Sequence, residues 1–477
     1  MRTRTGHRVL GWMLVLLAIS LLWAHDIRTG LSGDVYWQWE AGRYMIAHRL
    51  VLHDNVFSYT LYHKPWVTEE WGYEVLLAAL VHIVGPAGFW LMSAGVGTVT
   101  LVLLSWLLSI HGTGGIKNGL LVLMAAPGLL PFVKDRPQTL SYALFVLMLV
   151  VLAISRSRPR VLWWAVPLLW FWTNVHGSFL LGFLLLILEE VWARWPVNTA
   201  RVKTSGTQVG FRQWLGVLAL SLLASFVNPN GPGLWAYSWH VTFSHRISEI
   251  IAEWQSPDFH FVAMVLVILV PMFLLVLLLM FGSQEMPWPD FFLSAGLFYA
   301  TMKSVRFLPY WDLEWPVVLG LLLSRLEFRR VSGWLGVPFV AILSLLVIFA
   351  HPAVAPGTPS QEPVAAANYL HRHPGRVFNM YHWGGYLIYR HIPVFIDGRT
   401  DFYLQGPEIQ QYMAVKNLTD NPSAVWKSYN IRYVLWAPHT AVATYLLSKP
   451  SQWRPVVRTT TAILFEHQGQ WARDSRT

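Results

Sequence analysis

The sequence predicts a mainly α, polytopic transmembrane helical bundle that carries a small C-terminal α/β domain outside the cytoplasm. Three observations lead there. Of the 477 residues, 55% are hydrophobic and 13% charged, against about 25% charged in soluble globular chains. The charge deficit is concentrated in long apolar runs between residues 8 and 351, several approaching the roughly 20 residues that span a bilayer core. Polarity becomes ordinary after residue 351. The expected domains are therefore 1–351, with a first outer loop at 25–87, and 352–477.

The first element is MRTRTGHRVLGWMLVLLAISLLWAHD, a basic patch followed by an apolar run. No small-x-small cleavage site follows it, so it reads as an uncleaved first transmembrane helix. Further runs lie near 71–85, 88–110, 116–133, 138–154, 161–174, 178–194, 213–227, 261–282, 290–302, 307–324 and 334–351. The 27 Trp and 18 Tyr suit interfacial belts, where an amphipathic ring sits at headgroup level.

Charge then sets the topology. Arg2, Arg4 and Arg8 place the N-terminus in the cytoplasm. If every run crossed, the loops holding Arg156, Arg158 and Arg160, then Arg194, Arg201, Lys203 and Arg212, then Arg325, Arg329 and Arg330 would all face out. One non-crossing run repairs all three. WGYEVLLAALVHIVG at 71–85 is short, carries Glu74 and His82 and ends at Gly85-Pro86, which suits an interfacial or re-entrant segment. About 11 crossings remain. The outer loops are then 25–87, 134–137, 174–177, 228–260 and 303–306.

In the C-terminal domain, HPAVAPGTPSQEP reads as a Pro-rich linker. PVAAANYLHRH, 407–417, 422–428 and 440–448 read as helices. RVFNM, GYLIYR, PVFIDGR and IRYVLWA read as strands, and WRPVVRTTTAILFEH as a hairpin. With no cysteine in the chain, disulfides, thiolate metal sites and a Cys nucleophile are excluded. The net charge of +10 falls mostly in short loops, as a topology determinant and not as a nucleic-acid surface.

The polar residues of the outer loops are the candidate site. SGDVYWQWEAGRYMIAHRL has apolar residues at helical spacing and reads as an amphipathic helix lying on the membrane. Asp34, at its start, suits an N-cap and equally a carboxylate taking a proton from a hydroxyl. Glu69 and Glu70 are either a solvated pair at a helix start or a second acid. Asp135-Arg136 is an interfacial salt bridge or a hydroxyl and phosphate pair. Asn174 and His176 satisfy backbone groups at a helix turn or serve as ligands. Glu253 beside Trp254 is ordinary at an interface and also a common sugar-binding pair. Lys303 and Arg306 break the positive-inside pattern; they either snorkel to the interface or pair with a lipid-linked phosphate, which would give both a partner. Asp397-Gly398-Arg399 and Asp401 read first as a strand-end turn.

The arrangement resembles the GT-C glycosyltransferases. The resemblance rests on a basic N-terminus, one helix, and a large outer loop opening on an acid, here SGDVYWQWEAGRYM. FSYT, PWVTEEW, NVHG, NPNG, AEW and FIDGRTDFY are similar to motifs of the same group. It implies transfer of a sugar from a polyprenyl-phosphate-linked donor to a glycan, lipid or protein acceptor on the extracytoplasmic face. Asp34 is implied as acid/base or metal-coordinating residue, Asp135 as second acid, and Lys303 and Arg306 as donor-phosphate ligands. Two departures, the missing WWD-type acceptor motif in the C-terminal domain and the lone Asp135 without a paired acid, argue against N-linked oligosaccharide transfer and against a firm metal requirement, and a divalent metal ion stays open. The partners implied are the lipid-linked sugar and membrane lipids, with no nucleic acid. A lipid or polysaccharide transporter or flippase, and a non-catalytic scaffold presenting 352–477, are the rival readings. Few charges within the runs disfavour the transporter.

Overall fold

The apolar runs form helices almost where their edges fall. The computed structural model describes residues 2–195, 209–244, 251–281, 288–325 and 362–469. Its helices begin with α1 (Arg2–Thr29), α2 (Gly33–His48), α3 (Trp71–Val84), α4 (Ala87–Ile110) and α5 (Ile116–Leu129). They continue with α6 (Pro137–Ser155), α7 (Ala165–Thr173), α8 (Phe179–Ala193), α9 (Phe211–Ser225) and α10 (Gly233–Phe243). The last three of this series are α11 (Val262–Phe281), α12 (Trp288–Lys303) and α13 (Leu308–Arg325). The run at 334–351, most of the linker, Arg201, Lys203, Arg329 and Arg330 lie outside the described residues. Among the described residues, three helices are long and apolar enough to cross a bilayer: 7–29, 87–110 and 137–155. Four shorter apolar helices accompany them.

The chain divides into two compact units, 1–30 with 84–354, and 31–83 with 355–477. The first outer loop and α3 therefore group with the C-terminal residues, where the sequence reading set them beside the transmembrane helices.

In the helical unit, small residues let backbones approach. A Cβ on Gly119 of α5 would lie 2.3 Å from the Gly11 carbonyl oxygen of α1, so only glycine admits this contact. Loop chemistry sets the helix ends. Gly30, at φ +70°, follows α1 and donates its N–H to Asp26 at 3.1 Å. Pro137 opens α6 at the first helical position, where its missing N–H costs nothing. One helix was not foreseen: the Asn228–Gly231 turn leads directly into α10.

The second unit is built on a four-stranded sheet. Its strands are β1 (Val377–Asn379), β2 (Tyr433–Trp436), β3 (Trp453–Arg458) and β4 (Ile463–His467), in the order β1-β2-β4-β3. β1 is parallel to β2, with Val377 opposite Tyr433. β4 is antiparallel to both β2 and β3. Pro455 sits on the edge strand beside a register shift, where a missing donor is tolerated. Helices α14 (Val364–Arg372), α15 (Gly384–Tyr389), α16 (Glu408–Asn417), α17 (Pro422–Ser428) and α18 (Ala441–Leu447) complete the unit. Asn421 and Thr440 cap the last two, accepting from Ser423 and Ala443 N–H, as short polar N-caps do. Phe378, Phe395, Trp426, Trp436 and Trp453 fill the core at 2% exposure or less.

Two expected strands are corrected. GYLIYR is helix α15, because a short apolar run buried on several sides carries no periodicity that separates strand from helix. PVFIDGR forms only single bridges at Val394. The Asn379 side chain takes the place of a ladder there, donating to Ile396 O at 2.8 Å and accepting from Phe395 N–H at 2.9 Å. The amphipathic helix expected at the start of the first outer loop is α2, and one side of it is buried. Val35, Trp37, Gln38, Glu40, Ala41, Gly42 and Met45 are all buried within the unit, against α3 and α15.

Candidate functional site

Each unit carries part of the predicted set, and each is described by itself. In the helical unit, two loops supply cations and a third supplies a carboxylate. Arg136 is the residue before Pro137, held extended at φ −132°, as a residue before proline must be. Its Nη1 donates to Glu253 Oε1 at 2.6 Å. Glu253 lies in the short turn Ala252–Trp254. Ser304 Oγ donates to Glu253 O at 3.1 Å, and Val305 N–H to Gln255 O at 2.8 Å. These bonds clip the 252–255 turn to the 304–307 turn.

Arg306 is thereby fixed. Its guanidinium lies 4.8 Å from the Trp254 ring centre, and its Nη2 is 3.3 Å from His176 Nε2. On its other side the imidazole Nδ1 accepts from the Ser178 backbone N–H at 3.2 Å and lies 2.7 Å from Ser178 Oγ. Tyr310 OH also bonds Ser178 Oγ, at 3.0 Å. Burial, then the Arg306 charge, push the His176 pKa well below its ordinary value. A neutral imidazole is what positions a cation without repelling it. His176 is a positioning residue for Arg306 in this arrangement.

Lys134, Arg136, Tyr142, Glu253 and Arg306 line one cleft of about 260 Å³, with Pro131, Phe132 and Met264 as apolar wall. Burial raises the Glu253 pKa, but Arg136 and Arg306 outweigh it and hold the carboxyl below its ordinary value. Lys134 is lowered by burial, against the opposing pull of Asp26 and Asp135. Its ammonium donates to Thr29 Oγ1. The cleft thus presents three cations to one carboxylate, beside an apolar wall. That combination suits a phosphate carried on an apolar chain.

The structure brings Arg136, His176, Glu253 and Arg306 together. Asp135 is buried at 2% exposure between Lys134 and Arg136 and is not part of the cleft wall. Asn174 caps α7 and donates to Trp170 O at 2.8 Å and Val227 O at 3.3 Å, a structural role. Lys303 is exposed at the end of α12, off the cleft wall. Lys134 takes the place expected for it. The signal for Lys134 was its position in the same outer loop as Asp135 and Arg136.

In the second unit, Asp34 lies in the first turn of α2, two residues past the N-cap position held by Ser32. The expected N-cap role is corrected on that ground. Trp37 Nε1 lies 3.4 Å from Asp34 Oδ1. A Cβ on Gly398 would fall 1.9 Å from the same oxygen, so Gly398 alone admits the carboxylate at this point. Glu70 accepts from Gln38 Nε2 at 3.2 Å. Gln38 is one turn along α2 from Asp34, on the same face. Glu69 occupies the turn before α3, partly exposed.

Asp397 and Arg399 flank Gly398 in the chain. Both are buried, at 0% and 2% exposure, and their Oδ2–Nη2 contact is 2.6 Å. Arg399 also donates to Asn55 Oδ1 at 3.0 Å and lies 4.5 Å from the Trp66 ring centre. Tyr403 OH donates to Asp397 Oδ2 at 2.7 Å. Sequence reasoning took this segment for a turn, because its partner Asn55 lies 344 residues away.

Among the described residues no group of three or more His, Asp or Glu side chains converges as a metal site.

No protein-family model matches the sequence, and no curated protein matches it. Solved structures do. The chain is similar to the oligosaccharyltransferase of Archaeoglobus fulgidus tethered to an acceptor peptide with an NVT sequon. That match has 12% identity, covers 90% of this chain and 69% of the other, and has a TM-score of 0.60. The same archaeal enzyme, AglB, in complex with an inhibitory peptide and a dolichol-phosphate, matches at 10% identity, 89% and 69% coverage, and TM-score 0.57. ArnT from Cupriavidus metallidurans bound to undecaprenyl phosphate matches at 16% identity, 97% and 99% coverage, and TM-score 0.55. These neighbours are GT-C glycosyltransferases, and this chain shares their fold.

Proposed function

We propose that this protein is a membrane glycosyltransferase that moves a sugar from a polyprenyl-phosphate-linked donor to an acceptor on the extracytoplasmic face. One observation carries the reading: the Lys134, Arg136 and Arg306 cleft with its apolar wall, in a fold whose solved neighbours hold dolichol-phosphate or undecaprenyl phosphate.

The cleft would hold the carrier phosphate and stabilise the negative charge that appears on it as the sugar leaves. Asp34 would act as general base, taking the proton of the acceptor hydroxyl as its oxygen attacks the anomeric carbon. The new glycosidic bond forms as the sugar–phosphate bond breaks, and one displacement inverts the anomeric centre. Glu70, bonded through Gln38 to the same face of α2, would be the second acid. Asp135 would tune Lys134 and Arg136, and Lys303 would meet headgroups at the bilayer edge. The topology proposed with this function has a cytoplasmic N-terminus, about 11 crossings, a non-crossing α3 and an external C-terminal domain.

The test is donor turnover by the purified full-length protein in nanodiscs, supplied with polyprenyl-phosphate-linked sugars. Wild type is expected to release free polyprenyl phosphate. Asp34→Asn should reduce release by at least about 100-fold, the usual worth of a general base, with its melting temperature unchanged. Full activity in a folded Asp34→Asn protein removes Asp34 as the base. The buried carboxylates Asp312 and Glu314 of α13 favour the transporter reading, which the same assay separates. Donor that crosses the bilayer without being consumed would establish it.

A further inference from the structure

The helical unit contains a second polar cavity that the transfer reading leaves unused. It is lined by Arg156, Glu189 and Asp290, with Glu314 at its wall and Leu188 and Val317 among its apolar residues. It has room of about 40 Å³, on the scale of one water or one ammonium group. Glu314 is 1% exposed, and neither carboxylate oxygen has a hydrogen-bond partner. An ionised carboxylate in that position costs several kcal/mol unless a cation joins it.

The one guanidinium at hand is already engaged. Arg156 donates Nε and Nη2 to Glu189, each at 2.8 Å. His111, also on the wall, faces the Leu107 carbonyl with Nδ1 at 2.9 Å. The cavity therefore holds three carboxylates against one guanidinium, and the deepest carboxylate is unmatched. Its other walls are mostly aliphatic, and among the described residues its three carboxylates do not converge as a metal site.

The rim identifies the source of a cation. Trp192 lines the cavity and stacks on Phe292 at 5.2 Å. Trp195 and Trp288 beside it are 49% and 44% exposed. Indoles gather at headgroup level. The Arg156 side chain is 44% exposed, and its Nη1 stays available for a phosphate. Arg158 follows it, exposed. A cationic rim over an anionic floor matches a zwitterion whose phosphate lies outside and whose ammonium points in.

We infer that this cavity binds the primary ammonium headgroup of phosphatidylethanolamine, with Glu314 and Asp290 on the ammonium and Arg156 on the phosphate. The choline headgroup carries three methyl groups and no N–H donor, so it neither fits the room nor satisfies Glu314.

The full-length protein in phosphatidylcholine nanodiscs, with and without phosphatidylethanolamine, provides the test. Unfolding is followed by tryptophan fluorescence. Phosphatidylethanolamine is expected to raise the midpoint by about 2–4 °C, and phosphatidylglycerol should not. Glu314→Gln is expected to lose that response while keeping its midpoint in phosphatidylcholine and its consumption of lipid-linked sugar, so this proposal and the transfer reading fail separately. Should Glu314→Gln not fold, Asp290→Asn is expected to lose the response in its place. A Glu314→Gln protein that still responds overturns the site. A wild type with no response overturns it too, and then Glu314 is a neutral buried acid. A shift from soluble ethanolamine without one from the phospholipid overturns the lipid source.

Discussion

Arg306 shows how much positioning one cation needs. An indole face, a neutral imidazole and a doubly clipped turn hold it at the cleft. Losing it should matter for binding and little for folding, because half of its surroundings are loop. Arg306→Ala is expected to weaken binding of polyprenyl phosphate about 10- to 100-fold, the worth of one charge-assisted hydrogen bond. Titration of the purified protein with the lipid phosphate measures it, and unchanged affinity would place the carrier elsewhere. The sequence marked Arg306 through its charge at an outer loop. It placed Lys134 in the loop with Asp135 and Arg136 but did not show that Lys134, and not Lys303, lines the cleft. Which one lines the cleft depends on how the 131–136 and 303–306 turns fold.

At the scale of elements, α3 is the informative one. At 14 residues it is about 21 Å long, short of the ~30 Å hydrocarbon core. It buries Tyr73, Glu74, Leu77, Ala78 and Val81 in the second unit. Burial raises the Glu74 pKa from 4.5 to about 8, with the Arg399 charge acting the other way. The folded unit therefore prefers the protonated acid. That contribution is complete below about pH 4.5 and is lost as pH rises through about 8. Wild type should lose stability relative to Glu74→Gln across this window and run parallel to it above. Thermal melts of both proteins from pH 4.5 to 9 check this, and parallel curves throughout would show that Glu74 is already ionised when folded. Apolar length and the Glu74 charge made α3 suspect as a span from sequence alone. Its close approach to α2 at Gly42, and the Arg399 charge that reaches Glu74 from the far end of the chain, were not legible in residue spacing.

For the whole molecule, the charge pattern commits to a parity. An alkaline phosphatase reporter fused after residue 469 is expected to be active, and one inserted at 156–160 inactive. An inactive fusion after residue 469 together with an active insertion at 156–160 would reverse the topology. The parity rests on short basic loops, which translocate poorly, and so it can be read without coordinates.

The same division runs through the protein. Membrane character, helix edges within a few residues, the C-terminal hairpin and the identity of the acid that opens the first outer loop follow from local composition and spacing. Hydropathy, proline and glycine act over one helix turn or one bilayer thickness, so the chain determines them by itself. Only the tertiary structure decided that residues 31–83 belong with the C-terminal domain, that GYLIYR is helical, and that Asp397 and Arg399 are a buried pair. It alone put Glu314 in a cavity without a partner. Each of these depends on which distant backbone fills the space around a side chain, and residue spacing along the chain does not record that.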